Sequence, residues 1–387
     1  MINVLHLRDT DRVCGPGKTI IETSCATDMR EFSQKIGLFL LRSETSNAYC
    51  EAATLRGVEV IPVRSAHPYD PRIVQTLARI IRDHRIDIVH SHEYKSDLLA
   101  WLVARVHPVP IMSTVHGWIT NSSKSRLVVG ISQKALRGFG RVVAVSHETR
   151  RKVVDCGVPE DRVVVLHNAI VTANYRPEQH ARGYLRQRYG LPADVTIIGN
   201  VGRLSPEKGQ ADFLEAAAAV ATTHTRAYFV LVGDGPSRAV LEQQVTALGL
   251  GSKVIFTGHL PDVRPVYRDL DILALTSHTE GFPNVVLESL CMGVPVLATE
   301  VGGTSEAVQT GVTGLLVRPS SPDAIAGGLR RMLDEPEWAR ALAAAGQAQV
   351  YKEFSFAQRV SREEDVYRGL LAEWQASRRA LGNGAHA

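Results

Sequence analysis

Four charged residues in the second half of the chain are placed to do chemistry together. Arg203 and Lys208 stand in Gly202-Arg203-Leu204-Ser205-Pro206-Glu207-Lys208-Gly209. Glu280 and Glu288 bracket Glu280-Gly281-Phe282-Pro283-Asn284-Val285-Val286-Leu287-Glu288. A guanidinium offers a planar fork to phosphate oxygens, and an ammonium offers a mobile point charge. The first pair therefore suits a diphosphate. Carboxylates accept from hydroxyls, so Glu280 suits a sugar and Glu288 a ribose. Taken singly, each residue has a plainer reading: solvated cations after a strand, and a glutamate on the polar face of a helix. Together the four point to a nucleotide-sugar site.

The elements expected around them fit that use. Arg203 and Lys208 follow the apolar run Val195 to Val201, with a helix expected from Lys208 onward through Ala211–Ala216. Glu280 follows the strand-like Ile272–Thr276, and a helix is expected over Val285–Met292. Ligands of open parallel sheets bind beyond the carboxyl ends of strands, where helix starts present free N–H groups and partial positive charge. Gly281 permits close backbone approach. Pro283 suits a first helical turn, where no donor is lost.

The spacing of the motif, Glu-x7-Glu with Gly281, Phe282, Pro283, Asn284 and Val285 inside it, preceded by Gly-Arg-Leu-x3-Lys-Gly, resembles the retaining glycosyltransferases of family 4. Further matching pieces follow in order: Val232 to Pro236, Phe256-Thr257-Gly258, Val301-Gly302-Gly303 with Glu306, and Gly311 to Val317. The resemblance implies the GT-B architecture: α/β, two Rossmann-like domains with parallel sheets and a cleft between them. The domains are expected at 1–175, binding the acceptor, and 190–354, binding the donor. A last helix over about 355–381 would pack back on the first. The donor site implied comprises Arg203, Lys208, Gly258, Glu280 to Val285 and Glu288. From the first half it takes Gly15 and Gly17 of a glycine loop, and His116 near the reacting centre. The implied reaction moves a sugar, with retention, from a nucleoside diphosphate sugar (UDP favoured, GDP behind it) without a metal or other cofactor.

Size and composition agree. The 387 residues suit two domains, and 44% apolar with 22% charged residues suits a globular chain. Strand and helix alternate throughout, from Ile2–Leu7 to Leu315–Val317, which predicts parallel sheets covered by helices. Val171 to Pro192 is the expected linker, and a helical run is expected from Pro336 to about Leu381. The five cysteines are odd in number and unpaired by spacing, which points to a reducing cytoplasm. No apolar run reaches the ~18 residues of a membrane span, and the N-terminus reads as a strand rather than a signal peptide.

Several motifs carry competing readings. Gly15-Pro16-Gly17-Lys18-Thr19 tempts a P-loop reading, but Arg12 stands where that loop needs glycine. His116 ends a strand before Gly117, and His90-Ser91-His92 ends another; the latter lacks metal-ligand spacing and reads as lining that faces the acceptor. Ser146-His147-Glu148 borders the same region, and Asn168 reads as structural. Asp269-Leu270-Asp271, the one tempting metal motif, reads more simply as a helix end.

For the acceptor, residues 122–141 mix Lys124, Arg126, Lys134, Arg137 and Arg141 with Leu127, Val128 and Ile131. This suits either a basic amphipathic helix on an anionic membrane, with a lipid-linked or glycan acceptor, or an ordinary surface helix. The net charge of +4 adds little, and no aromatic-interleaved basic stripe speaks for nucleic acid. The location expected is cytoplasmic, with peripheral attachment to the membrane's inner face as the open alternative. A hydrolysing nucleotide-sugar epimerase of similar fold and a silent scaffold are the other readings.

Overall fold

The computed structural model describes residues 1–384 except Arg12, Cys14, Pro68, Tyr69 and 119–122. The chain divides into two compact units, Met1–Asn168 with Phe356–Ala387, and Ala169–Ser355.

The first unit carries seven strands: β1 (Ile2–Arg8), β2 (Phe32–Leu41), β3 (Glu59–Ser65), β4 (Ile88–Ser91), β5 (Ile111–Val115), β6 (Arg141–Ala144) and β7 (Val163–Val165). They lie in the order β3-β2-β1-β4-β5-β6-β7, every pairing parallel. The second carries β8 (Thr196–Val201), β9 (Ala227–Val232), β10 (Val254–Gly258), β11 (Ile272–Leu275), β12 (Val296–Thr299) and β13 (Leu315–Val317). Their order is β10-β9-β8-β11-β12-β13, again all parallel. Both units are thus Rossmann-like. In each the strand order reverses beside the first strand, between β1 and β4 and between β8 and β11, and such a switch point opens a crevice at the strands' carboxyl ends.

The strands read as continuous apolar runs because both faces are covered. Val4, Leu5 and Leu7 of β1 and Phe229, Val230 and Leu231 of β9 are fully buried, each contributing about 1.5–3 kcal/mol of burial. The helices cover them with one apolar stripe. In Arg72–Asp83 the buried residues are Ile73, Leu77, Ile80 and Ile81, a spacing of three to four.

The helical run after Pro336 is two helices, Pro336–Glu353 and Phe356–Gly384. The second helix completes the first unit: Tyr367 and Leu370 join Val4, Phe32, Ile88, Met112, Val143 and Leu166 in one cluster. Glu364 accepts from Thr27 Oγ1 at 2.9 Å, and Arg368 grips both oxygens of Glu31 at 2.8 and 2.7 Å. The segment expected as a linker is bound into the second unit. The fully buried Asp269 accepts from the backbone N–H groups of Gly183 and Leu185. Asp271 accepts from Ile197 N at 2.8 Å. The Asp269-Leu270-Asp271 motif therefore fastens the helix Tyr184–Tyr189 and strand β8.

Candidate functional site

The second unit builds its site at the switch point between β8 and β11. Arg203 is exposed just past β8. Lys208 closes a 3-10 turn, Pro206–Lys208, and the expected helix begins only after Gly209, at Gln210. The delay has a physical cause: Gly209 adopts φ +61°, which breaks the right-handed run. From β11's end, Glu280 reaches back across the switch point. Its Oε1 accepts from Lys208 Nζ at 2.6 Å and from Ser277 Oγ at 2.6 Å. The Glu280 side chain is only 9% exposed, against 28% for Lys208, so the pair is held away from bulk water.

Hydrogen bonds to backbone groups, from both backbone and side-chain donors, fix these loops. Thr276 Oγ1 donates to Gly209 O at 2.9 Å, and His278 N to Glu207 O at 2.8 Å, which ties the β11 loop to the β8 loop. Leu204 N donates to Asp234 O at 3.1 Å, and Ser237 N to Leu204 O at 3.0 Å, which ties in the β9 loop. Asn200 Nδ2 donates to Ala274 O at 2.8 Å beneath them, and Gln210 Nε2 holds Arg203 O at 2.9 Å. From the β12 loop, Gly303 N donates to Gly281 O at 3.0 Å. Gly258 ends β10 at φ +70°, and its carbonyl accepts from Gly233 N at 3.0 Å.

Glycine is required where the loops touch. A Cβ on Gly209 would lie 2.0 Å from Thr276 O, and one on Gly302 (φ +56°) 1.8 Å from Glu280 O. At Gly209 and Gly302 the missing side chain therefore lets the loop backbones pack together.

The helix after Glu280 is Asn284–Cys291, entered through Pro283. Its first N–H groups have no partner within the helix, and Asn284 Oδ1 is buried without a hydrogen bond. Val285 is half-buried in the same turn. Phe282 is 4% exposed and packs on Phe354 with ring centres 5.4 Å apart, so any contact it makes with a ligand runs through its backbone.

Glu288 is 8% exposed and points inward. Its two oxygens accept from Tyr175 Oη at 2.7 Å and Tyr267 Oη at 2.8 Å. A carboxylate at that depth needs such donors. Burial, and then the adjacent carboxylate, push both tyrosine hydroxyls' pKa upward. Neither tyrosine is legible as a partner from sequence, because they lie 113 and 21 positions away. Ser277 is nearer, three residues before Glu280, the spacing of a local side-chain contact.

Gly15, Gly17 and His116 belong to the first unit. Gly15 and Gly17 open the helix Gly15–Ala26. A Cβ on Gly17 would come 2.8 Å from the Tyr49 ring, whose hydroxyl donates to Gly17 O at 3.2 Å. His116 follows β5, and both its ring nitrogens are buried without partners. Burial first, then the positive charges of Arg8 and Arg359, push its pKa down to about 3, so the ring is neutral. Ser146 caps the helix His147–Asp155 by accepting from Thr149 N at 3.0 Å.

A second group in this unit escaped the sequence reading. Arg8 at the end of β1 pairs with Glu93 at 2.7 Å. Asp97, buried among the hydroxyls of Ser91, Ser113 and Ser132 at 2.6–2.8 Å, has its pKa raised by burial to about 6.

Residues 37–174 match the family described as Glycosyltransferase Family 4, and residues 182–349 match Glycosyl transferases group 1. A D-inositol 3-phosphate glycosyltransferase of Acidothermus cellulolyticus is 33% identical over 309 residues, 74% of this chain and 68% of the relative. An N-acetyl-alpha-D-glucosaminyl L-malate synthase of Bacillus anthracis is 25% identical over 92% of this chain and 95% of the relative. Among solved structures, HepE of Anabaena in complex with UDP-glucose superposes with a TM-score of 0.85 at 22% identity, covering 95% of this chain and all of that one. Sucrose-phosphate synthase of Thermosynechococcus elongatus gives 0.80 at 20% identity, covering 96% of this chain and all of that one. With two parallel-sheet Rossmann-like units and matches to both family descriptions, the chain belongs to glycosyltransferase family 4 and is a glycosyltransferase with GT-B structural neighbours.

Proposed function

We propose that the chain transfers a sugar from a nucleoside diphosphate sugar, a UDP-sugar in the first place, with retention at the anomeric carbon and without a metal ion. The observation that carries this reading is the Lys208–Glu280 pair across the β8/β11 switch point, with Arg203 exposed beside it. Arg203 and Lys208 take the diphosphate, and the start of the helix Asn284–Cys291 adds N–H donors. Glu280 accepts from sugar hydroxyls, and Glu288, buried beside its two tyrosine donors, accepts from the ribose through lone pairs that those donors do not use. The UDP-glucose complex of the Anabaena neighbour supports UDP as the nucleotide.

In the proposed reaction the bond from the anomeric carbon to the phosphate oxygen breaks. The acceptor oxygen bonds the same face of that carbon, and its proton passes to the departing phosphate. Arg203 and Lys208 stabilise the charge on that phosphate as it develops, which is commonly the largest catalytic contribution. Lys208 and Ser277 both engage Oε1 of Glu280, which leaves Oε2 to accept from the sugar. Calorimetric titration with UDP, GDP and ADP in metal-free buffer tests the donor assignment. UDP is expected to bind, and Arg203→Ala to weaken it by about tenfold or more, a loss of roughly 1.4 kcal/mol. Absence of binding by all three nucleotides sinks the reading.

The acceptor proposed is a glycan or lipid-linked sugar of cell-surface polysaccharide or glycolipid synthesis, met at the cytoplasmic face of a membrane. Support comes from the helix Ser123–Leu136, where Leu127, Val128 and Ile131 are exposed alongside Arg126 and Lys134. Lys124 lies outside the described side chains. No helix among the described residues is long and apolar enough to cross a membrane, so attachment would be peripheral. Co-sedimentation with liposomes is expected to rise with anionic lipid and to fall on Leu127→Ser with Ile131→Ser. Equal recovery with neutral and anionic vesicles counts against docking.

A further inference from the structure

The first unit holds a hydrogen-bond ladder whose direction is set at one end. Glu364 is a carboxylate and only accepts, so Thr27 Oγ1 donates to it at 2.9 Å. Thr27 in turn accepts from Gln34 Nε2 at 3.1 Å. That orients the amide, and Gln34 Oε1 faces His6 Nε2 at 3.0 Å as an acceptor. His6 must therefore carry its proton on Nε2, which leaves Nδ1 a lone pair. His6 Nδ1 lies 2.9 Å from His92 Nε2, so His92 donates through Nε2. Burial drives the pKa of both rings down, His92 well below its usual value, so each is neutral and carries one proton. The ladder ends at His92 Nδ1, a bare acceptor, buried and without a protein partner.

That atom belongs to a residue lining a pocket of about 180 Å³ at the β1/β4 switch point, shared with His116, Arg8, Glu93, Asp97 and Trp118. His92 is 6% exposed, and His116 stacks near it with ring centres 5.9 Å apart. The pocket's arginine is already paired with Glu93, and Asp97 is a second acid. Its lining thus offers acceptors for hydroxyls, and no surplus of positive charge for a phosphate or carboxylate.

A metal reading competes, because His6, His90 and His92 each bring a nitrogen within 4.8 Å of the others. Both ring nitrogens of His6 and of His90 are already committed, however. His90 meets Tyr367 Oη and Thr114 Oγ1, each at 2.8 Å, and His6 is used on both sides. An ion would have to dismantle the ladder.

We propose that this pocket is a hydroxyl-recognition subsite in which a neutral polyhydroxylated ring, a sugar or cyclitol, donates a hydroxyl to His92 Nδ1. Its role as the acceptor's subsite rests on the glycosyl-transfer reading above. Gln34, Thr27 and Glu364 are positioning residues, acting through His6 to keep that lone pair bare.

The test uses the full chain labelled with 15N-histidine, together with His92→Gln. The glutamine amide keeps the donor to His6 and supplies no lone pair at the Nδ1 position. At neutral pH the spectrum is expected to show His92 protonated on Nε2, and glucose and myo-inositol are expected to shift its Nδ1 resonance saturably. Saturation-transfer titration of the same two probes should show about three- to tenfold weaker binding to His92→Gln at unchanged melting temperature, the worth of one hydrogen bond. Glucose 6-phosphate should bind no better than glucose. A proton on His92 Nδ1, equal affinity in the variant, or tenfold preference for the phosphorylated sugar overturns the proposal, as does zinc binding that displaces the His6–His92 contact. UDP titrated into the same sample separates the two readings. UDP binding without sugar binding removes this subsite alone, and sugar binding without UDP removes its role as acceptor site.

Discussion

Replacing Lys208 by alanine is expected to lower turnover of the nucleotide sugar by two to three orders of magnitude and to destabilise the second unit as well. In the proposed reaction Lys208 is a preorganised donor aimed at developing negative charge, and removing such a donor typically costs about 100- to 1,000-fold. The stability loss has a separate origin. Glu280 is 9% exposed and its Oε1 depends on Lys208 and Ser277. Without the ammonium, a nearly buried carboxylate keeps one hydroxyl donor. Breaking a fully buried pair costs about 3–5 kcal/mol, and the partial exposure of Lys208 brings the expectation to about 2 kcal/mol. The two effects separate in the double variant. Adding Glu280→Gln to Lys208→Ala removes the stranded charge and should recover most of the urea midpoint, while turnover stays low. Lys208→Ala with turnover within tenfold of the parent, or a double variant no more stable than the single one, would show that the pair is not the centre of the site.

What the sequence could reveal here, and what it could not, follows from the range of each interaction. Strands such as Phe229–Leu231 are legible because burial on both faces leaves an uninterrupted apolar run, and Gly209 stands out because its φ of +61° is a local backbone demand that glycine meets. The charged quartet is legible by type and spacing. Its geometry is not, since Lys208 and Glu280 meet over 72 positions and nothing local shows that the cation is held by the carboxylate before any ligand arrives. Glu288 illustrates the same limit. In sequence it is a glutamate in an apolar helix with two open readings, solvent or ligand. In the fold, Tyr175 and Tyr267 satisfy it in a buried position. The ladder through His6 and His92 spans 86 positions, so His90-Ser91-His92 shows imidazoles at a strand end without showing their tautomers. Segment 171–192 reads as a linker because it separates the two halves, yet buried Asp269 pins it by backbone contacts that no side-chain pattern in the segment advertises.

Gly302→Ala should separate loop placement from general stability. At φ +56° an alanine carries the strain of the left-handed region, about 1 kcal/mol. The larger effect is steric: its Cβ would sit 1.8 Å from Glu280 O and 2.7 Å from Glu280 C, both backbone atoms that no rotamer change can clear. The β12 loop and the Glu280 loop must part by more than an ångström to restore ordinary contact. That shift carries Glu280 away from Lys208 and disturbs the Gly303 N to Gly281 O hydrogen bond. Displacement on this scale costs about 100-fold in rate when it moves groups that must be aligned. Gly249→Ala is the matched control, because Gly249 has φ +68° with nothing within 4 Å of the added carbon. It bears the same backbone strain without the clash, so it should lose about 1 kcal/mol of stability and keep its turnover. Steady-state kinetics and urea midpoints on the two variants decide the matter. Equal turnover in both would mean that the glycine at 302 answers to backbone strain alone. A loss confined to Gly302→Ala would mean that the close packing of the two loops is what holds Glu280 where Lys208 can meet it.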